Sequence, residues 1–270
     1  GPFVFAGKTW HSISMQLTIL GCSGSLGAPG NPGSSYVVST PGNPDVVLDF
    51  GPGALAAMQE RFNPSEAHVA FSHLHADHCS DIASLLVWRR FHPELAATRR
   101  HRLLGPSYTP QHIGVLGADG PDAPTDISDT FEFTALRGGE AVELDGVSIT
   151  PFAVEHPAAE SHALRVQELA TGKVLTYTGD SGFTPSLIDA SRGADLLLCE
   201  SAWGPDSEGQ PAGMHLSGRE AGRIAREAGV GTLVLVHIQP WSDAEATRIA
   251  AESEFDGEVV VGAAGAVFEV

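Results

Sequence analysis

His73-Leu74-His75-Ala76-Asp77-His78 decides how this chain is read: three imidazoles and one carboxylate fall within six residues. The stretch before it, His68-Val69-Ala70-Phe71-Ser72, has the make-up of a short buried strand. The cluster therefore sits where a strand runs out into a loop. His73 and His75 are two apart, so in extended backbone they point the same way. Asp77 and His78 follow where the chain must turn, and they can face a second centre. Two nitrogens for one cation and an oxygen–nitrogen pair for its neighbour make the donor set of a dinuclear Zn²⁺ site. Groups this dense repel or desolvate one another unless a cation joins them.

A metal needs about four ligands, and a catalytic one keeps a position open for water. The missing ligands are expected downstream at strand ends. His156 follows the apolar run Val147–Val154, Asp180 follows Lys173–Thr178 and Gly179, and His237 follows Thr232–Val236. One polar residue at a strand end means little; three of them beside the 73–78 cluster form a pattern. Asp180 has two oxygens and can bridge two cations. His215, in Gly213-Met214-His215-Leu216-Ser217-Gly218, lies just before a helix and is left for chemistry rather than ligation.

The order HxHxDH, His, Asp, His resembles the metallo-β-lactamase superfamily. Tyr177-Thr178-Gly179-Asp180-Ser181-Gly182 and Cys199-Glu200-Ser201, with His215 and His237, resemble its ribonuclease Z branch. Further stretches resemble actinobacterial cyclic-nucleotide phosphodiesterases of that branch: Leu20-Gly21-Cys22-Ser23-Gly24-Ser25, Val87–Pro93, His215–Gly222 and His237-Ile238-Gln239-Pro240-Trp241. The resemblance runs from Met15 to Val270.

It implies an α/β fold, the αββα sandwich: two packed mixed sheets with outer helices and the metal site at one sheet edge. It implies two divalent ions, Zn²⁺ with Mn²⁺ or Fe as alternatives. His73, His75, His156 and Asp180 would hold the first; Asp77, His78, Asp180 and His237 the second. A hydroxide bridging them would attack phosphorus. His215, Asp77 and Glu200 are the residues assigned to catalysis. His215 would donate to a phosphoryl oxygen or protonate the departing 3′-oxygen, and Glu200 would orient it. Asp49, at the end of Val46-Val47-Leu48, is expected to hydrogen-bond the ligand loop without being a ligand. Ser23-Gly24-Ser25 form a small-residue loop that either brings backbone N–H groups to a phosphate or simply turns. The substrate implied is a 3′,5′-cyclic nucleotide, cyclic AMP first; the alternative is a ribonuclease Z-type endonuclease trimming tRNA 3′ ends. A homodimer is implied as well. A scaffold that has lost its ligands does not match a chain holding all seven.

Composition agrees with a small substrate. A net charge of −18 disfavours a long nucleic acid, whose binding draws on many Lys/Arg–phosphate contacts, and leaves a single phosphodiester to the metals. No arm rich in basic residues, such as ribonuclease Z uses on tRNA, is visible. No apolar run reaches the roughly 20 residues of a membrane helix. Cys22, Cys79 and Cys199 show no paired pattern, which points to a reducing cytoplasm, and Cys79 reads as a buried thiol. Gly1-Pro2 looks like a protease-cleavage scar. Residues 1–14 read as tag or leader and 15–270 as one domain of two similar halves.

Strands are expected at 16–20, 35–39, 45–50, 67–71, 101–104, 131–135, 140–153, 162–168, 173–178, 195–199, 232–236 and in part of 258–269. Helices are expected at 53–60, 79–91, 108–116, 184–190, 217–228 and 242–253. Ser217 precedes Glu220 by three, a capping-box pattern. Arg89-Arg90, Arg99-Arg100 and Arg102 form the basic cluster, read as a solvated helix face and loop. Trp88, Arg89 and Arg90 are expected to serve a homodimer contact or the site mouth.

Overall fold

Runs of Val, Leu and Ile bounded by Gly, Pro and Asp give fourteen strands among residues 14–270, which the computed structural model describes. The leader expected over 1–14 lies, Ser14 apart, outside the described residues. The strands are β1 (Gln16–Gly21), β2 (Ser35–Ser39), β3 (Asp45–Leu48), β4 (Ala67–Ala70), β5 (His101–Gly105), β6 (Phe131–Ala135), β7 (Val142–Leu144), β8 (Val147–Ala153), β9 (His162–Glu168), β10 (Val174–Tyr177), β11 (Leu196–Glu200), β12 (Thr232–Val236), β13 (Glu258–Val261) and β14 (Val267–Glu269). They form two seven-stranded sheets, ordered β14-β1-β2-β3-β4-β5-β6 and β13-β12-β11-β10-β9-β8-β7.

The halves repeat one plan. In the first sheet β1, β2 and β3 pair antiparallel, and β3 to β6 run parallel. In the second, β7 to β10 pair antiparallel and β10 to β13 run parallel. Each parallel step needs a crossover, and each crossover here contains one or more helices. These are α1 (Ala54–Met58), α2 (Ala76–Cys79), α3 (Ile82–Phe91), α4 (Thr109–Leu116), α5 (Pro185–Ser191), α6 (Gly218–Ala228) and α7 (Ala244–Glu252).

Side chains alternate across each strand, and here both faces are covered. Leu196 and Leu198 of β11 enter a core shared with Leu48, Leu104, Ile149 and Tyr177 from both sheets. Their neighbours Leu197 and Cys199 turn outward onto Leu187, Ile224 and Ala225 of α5 and α6. On the far side Val47, Val69 and Phe71 meet Met58, Ile82 and Leu85 of α1 and α3. Each fully buried Leu or Val side chain contributes roughly 1.5–3 kcal/mol over exposure. The result is helix, sheet, sheet, helix.

Helix α6 carries the expected capping box. Ser217 Oγ accepts from Glu220 N at 3.2 Å, and Glu220 Oε1 accepts from Ser217 N at 3.0 Å. Gly229, at φ 68°, ends the helix in the left-handed conformation.

Three local expectations are corrected. The helix expected over 79–91 is two: the turn α2 ends at Cys79, and α3 starts at Ile82. The strand expected over 140–153 is a hairpin, β7 and β8, turning at Asp145-Gly146 with Asp145 at φ 52°. The solvated face assigned to Arg89-Arg90 fits Arg90 only in part: its side chain is 16% exposed and bonds Asp129 at 2.8 Å. It fails for Arg89, which is 1% exposed. Arg89 donates to Thr130 Oγ1 and O, both at 2.8 Å, and to Ser65 O at 3.1 Å. Its guanidinium lies 4.3 Å over the Phe131 ring. Ser65 and Thr130 precede β4 and β6, so Arg89 lies at the N-terminal ends of the parallel strands. The ligands follow the C-terminal ends, so Arg89 is not at the site mouth. Trp88 is 8% exposed and packs against His92 with the rings tilted and their centroids 4.2 Å apart.

Candidate metal centre

The strand ends bring the residues together along one edge between the two sheets. The chain leaves β4 extended through His73 and His75, then enters α2, which presents Asp77 and His78. His156 comes from the loop after β8, Asp180 from the loop after β10, and His237 directly after β12. Of the overlapping groups whose ligand atoms lie within 4.8 Å of one another, two hold the candidate ligands between them with no residue in common: His73, His75 and His156; and Asp77, His78, Asp180 and His237.

In the first group His75 Nδ1 and His156 Nε2 are 3.0 Å apart. In the second, His78 Nε2 lies 3.0 Å from Asp180 Oδ2, 3.2 Å from Asp77 Oδ2 and 3.3 Å from His237 Nε2. Asp180 joins the groups: the same Oδ2 is 3.4 Å from His237 Nε2, 3.6 Å from His73 Nε2 and 3.8 Å from His156 Nε2.

The other side of several rings is occupied, and that aims them. His156 Nδ1 donates to Met214 O at 2.7 Å. His73 Nδ1 donates to Ser72 Oγ at 3.0 Å, and Ser72 Oγ donates to Asp49 Oδ2 at 2.7 Å. His78 Nδ1 donates to Asp49 Oδ2 at 2.8 Å. Asp49 is fully buried and also accepts from Ser72 N at 2.8 Å and Tyr177 Oη at 2.7 Å. It thus bonds the ligand loop from a strand end, as expected, and lies on the far side of His78 from Asp180.

Do these residues fit a cation? His73 Nε2 and Asp180 Oδ1 are buried with no hydrogen-bond partner among the described residues. A buried polar atom left unpaired costs about 1–3 kcal/mol. An acceptor-rich pocket of imidazoles and carboxylates is satisfied by a divalent cation and poorly by protons alone, so the clusters are able to bind metal ions. Electrostatics agree. Burial, with His78 adding to it, pushes His73 well down, and burial also lowers His156; neutral imidazole is the ligating form. Burial alone would raise Asp77 and Asp180, yet the imidazoles of His78 and His237 hold both well below the usual carboxylate range. His78 is driven down by burial but further up by Asp180, Asp77 and Asp49, and ends well above an ordinary histidine. The carboxylates call for positive charge between them.

His215 stands over both groups, with ring centroids 5.2 Å from His156 and 5.4 Å from His237. Its Nδ1 donates to Glu200 Oε1 at 2.8 Å, which leaves Nε2 for the open side. Burial lowers its pKa, but the Glu200 carboxylate, with Asp180 and Asp77 adding to it, leaves it raised. Glu200 is no solvated strand-end carboxylate: it is fully buried and also accepts from Ser181 N at 3.0 Å and Ala202 N at 3.1 Å. Trp203 packs its ring edge-on against His215 at 4.9 Å.

The Ser23-Gly24-Ser25 loop reaches the site as well. Ser25 N lies 3.3 Å from His237 Nε2. A Cβ on Gly24 would come within 2.3 Å of His237 O, so only glycine lets the loop approach this close. Cys79 Sγ faces Leu74 O at 3.5 Å, and burial pushes its thiol up to about 12, so it stays a protonated core residue. All three cysteines are free and buried.

The seven candidate ligands, with His215, Glu200 and Asp49, are brought together here, whereas Arg89 is not. Sequence reasoning missed Ser72, Tyr177, Trp203 and the Met214 carbonyl, which aim or wall the others. Ser72 sits between a strand and the His cluster, a place where a hydroxyl can serve a ring nitrogen; the remaining three carried no local signal.

Comparison with known proteins agrees with this geometry. The beta-lactamase superfamily domain model matches residues 45–238. The uncharacterized protein Rv1339 of Mycobacterium tuberculosis is 41% identical over 258 residues, 96% of this chain and 93% of that one. The probable metallo-hydrolase YhfI of Bacillus subtilis is 30% identical over 263 residues, covering 94% of this chain and 100% of its own. The YhfI crystal structure matches with a TM-score of 0.81 at 27% identity, over 94% of this chain and 99% of that one. Ribonuclease Z of Haloarcula marismortui is 27% identical over 307 residues, 92% of this chain and 94% of that one. Among the described residues no helix is long and apolar enough to cross a membrane.

Proposed function

This chain belongs to the metallo-β-lactamase superfamily as a metallo-hydrolase, and we propose that it is a two-metal phosphodiesterase opening 3′,5′-cyclic nucleotides, cyclic AMP first, to 5′-monophosphates. The observation that carries this reading is the pair of donor groups joined at Asp180, with His215 standing over both.

His73, His75, His156 and Asp180 would hold one divalent ion, and Asp77, His78, Asp180 and His237 the other, Zn²⁺ being the ion this mix of imidazole and carboxylate favours. Such ions supply Lewis acidity, which activates water near neutral pH and neutralises charge on phosphoryl oxygens. The chain's own side chains do the rest. Water adds to phosphorus, the P–O3′ bond breaks, and the 3′-oxygen needs a proton. His215 Nε2 delivers it, because Glu200 keeps Nδ1 occupied as a donor and favours the doubly protonated ring. Asp49 holds the ring of His78 through Nδ1. Asp77 would act as a ligand beside His237, with Oδ2 3.0 Å from His237 Nε2.

Charge and topology support a small substrate. The net charge of −18 opposes a tRNA-length polyanion. Between His156 and Asp180 the chain spends its length on β9 and β10, and between Asp180 and His215 on α5, β11 and a loop. Neither interval offers a long arm. The homodimer and the cytoplasmic location belong to the same proposal; sedimentation at micromolar concentration tests the first.

The metal-loaded protein should convert cyclic AMP to 5′-AMP with weak salt dependence, since few counterions are released. Trimming of a tRNA 3′ trailer without 5′-AMP formation from cyclic AMP would replace this reading with the ribonuclease one.

A further inference from the structure

Beyond His237, itself at φ 56°, the chain makes a tight turn before α7. Ser242 N donates to Gln239 O at 2.9 Å, which puts Pro240 and Trp241 at the two central places of a four-residue turn. Proline presets the backbone at the first of them. On the far side Asp243 accepts from Ala246 N at 2.9 Å and caps α7, so the turn is anchored there too. The indole is tied as well as the backbone: Trp241 Nε1 donates to Gln239 Oε1 at 3.1 Å. The same amide donates through Nε2 to Ser25 Oγ at 3.0 Å, and Ser25 N is the group 3.3 Å from His237 Nε2. A chain of polar contacts thus leads from the second ligand group to the edge of an indole.

That indole is 67% exposed. It covers no core, so burial does not account for it. Phe91, the other large exposed aromatic among the described residues, lies on α3 in the outer layer, away from the strand ends that hold the ligands. Trp241 presents a flat apolar surface that brings no charge and is linked through Gln239 and Ser25 to His237. A nucleobase has a matching flat face, and base–aromatic stacking contributes roughly 1–3 kcal/mol.

We propose that Trp241 is the stacking platform for the base of the bound nucleotide, oriented by Gln239 and Ser25. The proposal rests on the phosphodiesterase reading and deepens it: base affinity comes from a π-surface held by the loop that carries His237. Stacking of this kind accepts any base and favours the larger purines.

The test compares the metal-loaded wild type with Trp241→Ala and Trp241→Phe on two substrates, cyclic AMP and the base-free methyl riboside 3′,5′-cyclic phosphate. Trp241→Ala should raise KM for cyclic AMP about 5- to 150-fold, the stacking range converted at tenfold per 1.4 kcal/mol. It should leave kcat, and both constants on the base-free substrate, near wild type. Trp241→Phe should restore most of the affinity. A binding readout runs beside this: 5′-AMP should quench the fluorescence of the wild type and much less that of Trp241→Phe. An unchanged KM in Trp241→Ala, or equal losses on both substrates, would overturn the platform. If the wild type turns over neither substrate, the phosphodiesterase reading fails; the 5′-AMP titration then still decides, with a Trp241-dependent quench supporting the platform and no such quench overturning it.

Discussion

Asp49 Oδ2 lies 2.8 Å from His78 Nδ1, on the side of the ring opposite Asp180, and the same oxygen accepts from Tyr177 Oη at 2.7 Å and Ser72 Oγ at 2.7 Å. One buried carboxylate, at φ 59° directly after β3, thus ties two ligand histidines to the second sheet. An amide nitrogen in place of this oxygen would point a donor at three donors. Asp49→Asn should therefore weaken metal affinity about 10- to 100-fold, the usual effect of losing an orienting partner, and lower stability by at least about 1–3 kcal/mol. Tyr177→Phe removes one donor only and should cost about 1 kcal/mol with metal affinity kept. Competition with a chromogenic chelator measures the first quantity and urea unfolding the second; wild-type metal affinity in Asp49→Asn would contradict the role.

Asp180 is the shared donor, so its loss should affect both groups at once. Asp180→Ala should lower the bound metal measured by elemental analysis and abolish turnover. Removing metal from the wild type should lower Tm, because ions that bind the folded chain alone stabilise it. Full occupancy with a wild-type rate in Asp180→Ala would dismiss the two-metal arrangement.

His215 is proposed for proton transfer and not for ligation. It also lies close enough to His156 and Asp180 to share a cation with them, but its Nδ1 is spent on Glu200. His215→Ala should keep its metal and lose about 10²–10⁴ in kcat, the range for a general acid. Glu200→Gln keeps an acceptor for His215 but drops the charge, and should lose about 10- to 100-fold. Loss of a metal equivalent in His215→Ala would reassign it as a ligand.

Much of this was legible before the fold was seen, for stated reasons. Hydrophobic runs ending in His or Asp placed His156, Asp180 and His237 at strand ends, where the structure has them. Ser217 and Glu220 announced the start of α6. The hairpin at Asp145-Gly146 carried a signal that could have been used, since Asp-Gly is a favoured two-residue strand reversal. The turn α2 did not: four residues hold a helical turn here through tertiary contacts, such as Phe50 N donating to His78 O at 2.6 Å. Arg89 was read with Arg90 because adjacent arginines look alike in sequence. Only the position of α3 over Ser65, Thr130 and Phe131 buries one fully and leaves the other half-buried against Asp129.

The same buried arginine sets a pH dependence away from the metal centre. His101 is fully buried, and its Nδ1 lies 3.2 and 3.3 Å from the two Nη atoms of Arg89. Burial, with the Arg89 charge adding to it, pushes this imidazole down to about 3. Below an ordinary histidine pKa of about 6.5 the unfolded chain takes up a proton that the folded chain refuses. The neutral ring therefore contributes stability that is present above about pH 6.5 and is lost progressively as pH falls toward 3, by up to about 1.4 kcal/mol per unit. His101→Gln cannot take the proton. Its stability relative to wild type should improve by about that slope as urea unfolding is moved from pH 7 to pH 5. A stability difference that stays constant over those two units would show that His101 titrates normally in the fold.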